Sequence, residues 1–307
     1  MRDRVVPLAL LGLGAWILWG CGGGTGMGGA GTSGSAGTTG SAGTTGGAGS
    51  AAPGRGGTTV TGGATGTGGA IATASLCTWP AATGTTMVSS TYNIGATFDG
   101  GMARFVGAGP LATSNQSESQ KPLFLLNDGA TLQNVILGNP AADGVHCNGS
   151  CTLKNVWWED VGEDAATFEG TSANQVMTID GGGAQKAADK VFQHNGPGTM
   201  VIQNFCVQDF GKLYRSCGNC STQYARNVQI KNVMVVPSGT TSALVGVNSN
   251  YNDTATFGSI LVKAAANSIT ICQRYTGNDT GAEPPKSGSG ADATICKYAS
   301  SDITWMP

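Results

Sequence analysis

The sequence is poor in charge. Only 11% of its 307 residues are Asp, Glu, Lys or Arg, and 16 basic against 18 acidic side chains leave a formal net charge of -2. That balance excludes the basic surface a nucleic-acid partner needs and the acidic excess of a solvating tail. Electrostatic function must therefore be local. Histidine is scarcer still, with only His146 and His194, which argues against a histidine-rich transition-metal centre. Amphipathic helical stretches are missing between the strand-like segments. The Gly-rich GGGTGMGGAG near the start lacks a preceding strand and a following helix, so it is low complexity and not a phosphate loop.

Long apolar runs are missing too, apart from Val5 to Trp19, which is too short to cross a bilayer comfortably. In MRDRVVPLALLGLGAWILWGCGGG this run follows two arginines and precedes Gly20 and Cys21, which reads as an export signal. Gly20 before Cys21, with Leu18 three positions upstream of the cysteine, resembles the bacterial lipoprotein processing box. The resemblance implies cleavage before Cys21 and a lipid on its sulfur, giving a secreted chain anchored at the bacterial cell surface or outer membrane. Trp19 departs from the small residue usual there, and plain secretion is the alternative. From Gly22 to about Ala74 the chain is almost all Gly, Ser, Thr and Ala with near-repeats such as GSAGTTGSAGTTGGAGSA, too poor in large apolar residues to offset its ordering entropy. The expected division is a signal at 1–20, a flexible linker at 21–74 and one catalytic domain at 75–307, monomeric, with a single substantial core.

Cysteine use agrees with export. Apart from Cys21 there are Cys77, Cys147, Cys151, Cys206, Cys217, Cys220, Cys272 and Cys296, an even set that suggests disulfides in an oxidising compartment. Cys147 with Cys151 and Cys272 with Cys296 are the preferred pairs. Cys217-Gly-Asn-Cys220 and Cys147-Asn-Gly-Ser-Cys151 also have zinc-like spacing, but export and the shortage of histidine favour disulfides.

What the folded part does have is a recurring short pattern: TLQNVILGN, TLKNVWWED, MTIDGGG, MVIQNFCVQD and VQIKNVMVVP. Each alternates with period two, as a strand does. Asn134 to Asn155 is 21 residues, Asn155 to Asn204 is 49 with MTIDGGG between, and Asn204 to Asn232 is 28. Repeats of this length, with Gly and Asn at turns, predict an all-β fold, a right-handed parallel β-helix whose turn asparagines can align in hydrogen-bonded columns. A β-sandwich is the runner-up. The part after Pro237 is weakly patterned and either completes coils or caps them.

In such a solenoid, equivalent residues on successive coils lie about 4.8 Å apart, so side chains distant in sequence line one groove. Asp143 in ADGVHC, Glu163 and Asp164 in VGEDA, Lys190 in AADKVFQHN, and Lys212 with Arg215 in FGKLYRSCGNC form an order running from acid to base. Three carboxylates on adjacent coils offer hard oxygen ligands suited to calcium, which would relieve their mutual repulsion. The cations would attract an anionic substrate, arginine by bidentate pairing with a carboxylate. Glu159 and Asp160 read as turn acids, Asp189 as a local partner of Lys190, and His146 and His194 as structural.

The strings QKPLF, ADGVHCNGSC, VWWEDVGEDAATF, GGGAQKAADKVFQHNGPG and NFCVQDFGKLYRSCGNC, over Ala96 to Val233, resemble the motif series of the class III pectate lyases, polysaccharide lyase family 3. That resemblance implies a parallel β-helix and calcium-dependent β-elimination of de-esterified polygalacturonate (pectate). It implies a calcium site at Asp143, Glu163 and Asp164, and Lys190 as catalytic base. Lys212 and Arg215 become substrate-binding cations, Arg215 also acting in catalysis, and Glu118 a further active-site acid. One departure is Glu169, where the family commonly has lysine. Lys212, Arg215 and calcium are expected to lower the pKa of Lys190 so that it can act as a base. The alternatives are a polygalacturonase on the same solenoid, which would need paired aspartates, and a non-catalytic carbohydrate-binding or adhesin β-helix.

Overall fold

The computed structural model describes residues 76–307; the signal, Cys21 and the linker lie outside them. The first strands are β1 (Thr85–Val88), β2 (Tyr92–Ile94), β3 (Thr97–Gly107), β4 (Phe124–Asn127), β5 (Ala130–Leu137), β6 (Val145–Asn148), β7 (Cys151–Trp158) and β8 (Ala166–Phe168). There follow β9 (Val176–His194), β10 (Gly198–Ser216), β11 (Arg226–Val236), β12 (Ala243–Asn248), β13 (Thr254–Val262), β14 (Thr270–Tyr275), β15 (Lys286–Ser289), β16 (Cys296–Lys297) and β17 (Ile303–Trp305).

Early strands skip their chain neighbour. β2 pairs with β4, β4 with β6 and β6 with β8, while β3 pairs with β5, β5 with β7 and β7 with β9, all in parallel. That is the pairing of a coil laid on the coil before it, and the expected parallel β-helix is the fold found. β9 and β10, at 19 residues each, bend around the corners and pair with each other along most of their length. Beyond Pro237 the coils continue through β12, β13 and β14, and an antiparallel β15 with the short β16 and β17 ends the stack.

Period-two alternation sends one side of each strand inward, where it meets its own kind. Leu132, Leu153, Ile179, Ile202, Ile230 and Phe257 are successive register partners and all buried, as are Phe124, Val145, Ala166, Phe192 and Tyr214 on another face. Each such aliphatic side chain contributes on the order of 1.5–3 kcal/mol by leaving water. The corners follow the asparagines. Asn134, Asn155, Gly181, Asn204, Asn232 and Ser259 occupy one register position, with φ between 52° and 75°. Asparagine tolerates that left-handed conformation, and its amide satisfies the corner. Asn155 Nδ2 donates to Asn134 Oδ1 at 2.9 Å, Asn232 Nδ2 to Asn204 Oδ1 at 2.8 Å, and Trp157 Nε1 to Asn155 Oδ1 at 2.7 Å.

The disulfides are Cys77–Cys206, Cys147–Cys151, Cys217–Cys220 and Cys272–Cys296. Both preferred pairs are present, and with all eight cysteines joined the zinc alternative has no free thiolates.

Asn155→Ala would leave a left-handed residue without its tolerant side chain and strip partners from Asn134 and Trp157. We expect it to lower the unfolding free energy by about 2 kcal/mol, measured by chemical denaturation. An exposed-face control such as Lys154→Ala should change it by less than about 0.5 kcal/mol.

Candidate active site

One sheet face carries the chemistry. Along its outward row His146, Thr167, Gln193, Arg215 and Gly246 follow one another as register partners on β6, β8, β9, β10 and β12. The loops that feed β6 and β8 carry Asp143 and the Glu163–Asp164 pair. They lie one on the other, with Glu163 N–H donating to Ala142 O at 2.9 Å. Carboxylate oxygens of Asp143, Glu163 and Asp164 consequently fall within 4.8 Å of one another, and all three residues are buried.

This cluster is electrostatically incomplete. Burial raises the pKa of Glu163, Lys190 opposes the rise and Asp143 adds to it. For Asp164 burial again dominates, pushing it well above the usual carboxylate range against the pull of Lys190. The Oδ1 atoms of Asp143 and Asp164 are buried without a hydrogen-bond partner. Unpartnered buried carboxylate oxygens in an all-oxygen set fit a hard divalent cation, and the residues present suit calcium.

Lys190 sits beside the cluster because β9 carries one extra residue there. Ala187 pairs with Phe210 and Lys190 with Lys212, a bulge that re-aims the strand. Gly211 permits it, since a Cβ at that position would lie 2.3 Å from Asp189 O. Lys190 Nζ lies 3.3 Å from Glu163, 3.6 Å from Asp164, and 3.5 Å from both Glu118 and Asp189. Burial acts to lower its pKa, but Asp164, Glu163, Glu118 and Asp189 together outweigh burial and raise it above the ordinary lysine value. The lowered pKa expected from Lys212, Arg215 and calcium together is not what the protein's own groups produce: four carboxylates surround the ammonium and outweigh the nearby cations. Asp189 does pair with Lys190 and also holds Lys212 Nζ at 3.1 Å.

Past Lys190 the groove deepens into a cavity of about 160 Å³ bounded by Gln193, Lys212, Arg215, Tyr275 and Glu283. Arg215 is buried there, its guanidinium carbon 4.0 Å from the centre of the Tyr275 ring. Burial lowers its pKa, outweighing the opposing pull of Tyr275, Glu283 and Asp253. The sequence-predicted residues Glu118, Asp143, Glu163, Asp164, Lys190, Lys212 and Arg215 thus share one groove. Glu159 and Asp160 do not: Glu159 makes a two-pronged contact with Arg104 at 2.6 and 2.7 Å, and Asp160 accepts from Asn139.

Comparison with known proteins gives the family. The family model described as pectate lyase matches residues 76–282. The chain belongs to the pectate lyase family. It is thereby a polysaccharide lyase. Pectate lyase E of Emericella nidulans is 46% identical over 222 residues, 72% of this chain and 84% of that protein. The catalytic domain of a pectate lyase from Erwinia chrysanthemi superposes with a TM-score of 0.64 at 33% identity, covering 72% of this chain and all of that one. A crystal structure of that bacterial lyase with tetragalacturonic acid covers 72% of this chain and 70% of that one, at a TM-score of 0.59 and 33% identity. Curated relatives such as the Emericella and Aspergillus fumigatus proteins are fungal, so they lend no support to a bacterial lipid anchor at Cys21.

The residue that departs from the family pattern has a partner. Glu169 lies 3.6 Å from His146 Nδ1, and His146 Nε2 meets Asp143 Oδ2 at 2.9 Å. Burial disfavours the charged imidazole, but Asp143 and Glu169 outweigh it and push its pKa up to about 10. His146 is therefore structural in a specific sense, bracing one acid of the cluster. Sequence reading missed Gln193, Tyr275 and Glu283 as groove residues; the last two follow Pro237, where no repeated motif marks them.

In calcium-free protein His146 should remain an imidazolium at pH 8, visible by NMR titration. Because its folded pKa is raised, the stabilisation it gives is full below about 6.5, declines as pH rises, and is lost through about 10. The stability difference between wild type and His146→Gln should shrink over the same window.

Proposed function

We propose that this lyase acts outside the cell on polygalacturonate, cleaving it by calcium-dependent β-elimination to 4,5-unsaturated oligogalacturonides. The observation that carries the reading is the groove's charge order: buried acids with unpartnered oxygens, then Lys190, then a buried Arg215 that makes no ion pair with a carboxylate among the described residues. A polymer with one carboxylate per sugar supplies the missing anions. The acid required by the Emericella relative's name and the tetragalacturonic acid in the Erwinia complex are of this class. Four disulfides fit an oxidising, extracellular setting.

Abstraction of the C5 proton of a uronate is the hard step, since the adjacent carboxylate resists further negative charge. Arg215 pairs with that carboxylate and stabilises the enolate-like charge as it develops, and Lys212 strengthens the positive field. Lys190 receives the C5 proton on Nζ. Asp143, Glu163 and Asp164 would hold the metal, and Glu118 contributes from the rim of the groove. Bound calcium would supply positive charge against the uronate carboxylate and offset the acids that otherwise keep Lys190 protonated. Solvent protonates the departing O4.

Lys190→Ala should reduce the ultraviolet-absorbing product from polygalacturonate by about 10²–10⁴-fold with the circular dichroism spectrum unchanged. Chelation of calcium should stop the reaction, and added calcium restore it. Retained activity in the variant would remove Lys190 as the base. Cleavage without that absorbance would indicate a hydrolase, and binding without turnover a carbohydrate-binding solenoid.

A further inference from the structure

The groups that touch the Arg215 guanidinium directly are neutral. Among the described residues no carboxylate lies within ion-pair distance of it, although Glu283 at the cavity wall and the buried Asp253 both favour its charged form from further off. One guanidinium face lies on the Tyr275 ring, and Nη1 donates to Asn248 Oδ1 at 3.1 Å. Gly246 beneath them leaves the room: a Cβ there would stand 2.9 Å from Arg215 Cδ and 3.1 Å from the Tyr275 ring.

Asn248 is itself fixed on every side. Its Nδ2 donates to Cys217 O at 2.9 Å and its backbone N–H to Asp253 Oδ2 at 2.8 Å, while Asp253 Oδ1 accepts the Arg226 N–H at 2.9 Å. Asn248 and Asp253 are both fully buried. The side chain thus has one rotamer and one orientation, because Cys217 O can take only the amide nitrogen and so leaves the oxygen facing Arg215. An aspartate at this position has the same shape and would bind Arg215 by a charge-assisted bond, at the cost of setting its second oxygen against Cys217 O. The amide orients the guanidinium without neutralising it.

We propose that Asn248 is a positioning residue that holds Arg215 in register while separating it from the charge of Asp253, so that the substrate carboxylate becomes the arginine's counterion. The proposal rests on Arg215 being the carboxylate partner in the reading above. A carboxylate at 248 would compete with substrate; an apolar residue would release Arg215 from its orientation.

The test uses the full chain with polygalacturonate and calcium, comparing Asn248→Asp, Asn248→Ala and Arg215→Ala. Asn248→Asp should raise KM by about tenfold or more, the equivalent of losing one charge-assisted contact, and should weaken the dependence of KM on ionic strength. Asn248→Ala should lower kcat with a smaller rise in KM. A purely structural role would make the two variants alike, and that result, or an unchanged KM in Asn248→Asp, would overturn the proposal. Should Asn248→Asp fail to fold, a double-mutant cycle decides: the effect of Asn248→Ala on kcat/KM should vanish in an Arg215→Ala background, and an additive loss would overturn it. Near-normal activity of Arg215→Ala alone would instead remove the reading of Arg215 itself.

Discussion

The lateral register of one coil on the next is the constraint from which everything else in this molecule follows. Parallel ladders repeat at about 4.8 Å, and a one-residue slip would send every inward side chain outward. The buried columns of Leu, Ile and Phe penalise that slip, and the corner asparagines fix where each strand bends. With register set, His146, Thr167, Gln193 and Arg215 must form a row, and the loops bearing Asp143 and Glu163 must lie against each other. The groove is a by-product of stacking, not of any local motif.

Within that groove the protein keeps charges apart that would otherwise cancel. Lys190 is surrounded by four carboxylates, while Arg215, one strand further, faces an aromatic ring and an amide. The acids have more negative charge than Lys190 alone balances, and the arginine has no carboxylate in direct contact among the described residues. Burial makes both conditions costly, and such cost is characteristic of groups whose partners arrive from solution. A metal at one end and a polyanion across the other would complete both halves together.

Much of this was legible in the sequence. Alternation and asparagine spacing gave the solenoid, and the coil-spaced acids and cations gave the site, because both depend on period and register. Other features depend on single departures from the period. Gly181 stands where an asparagine is expected, so one coil was visible only through MTIDGGG. The extra residue before Lys190 reverses the electrostatic surroundings of that lysine, and no pattern announces a bulge. Asn248 and Tyr275 lie where Ser259 has replaced the corner asparagine and the repeat has faded. Long-range cysteine pairing was equally hidden, since Cys77 and Cys206 belong to different coils.

That last bond alters what kind of solenoid this is. Stacked-repeat proteins are quasi-one-dimensional: each repeat touches only its neighbours, and one end can fray without consulting the other. Cys77 to Cys206 spans 129 residues and ties the segment that leads into the first coil to the middle of the stack. The segment beyond Cys77 packs along the same flank, with Trp79 against Trp157 and bonded to Gln208. Peeling from the amino-terminal end is therefore not a local event, because the coils that bear Asp143, Glu163, Asp164 and Lys190 are enclosed in one covalent loop. The half of the stack that carries the acid cluster should behave as a single cooperative unit.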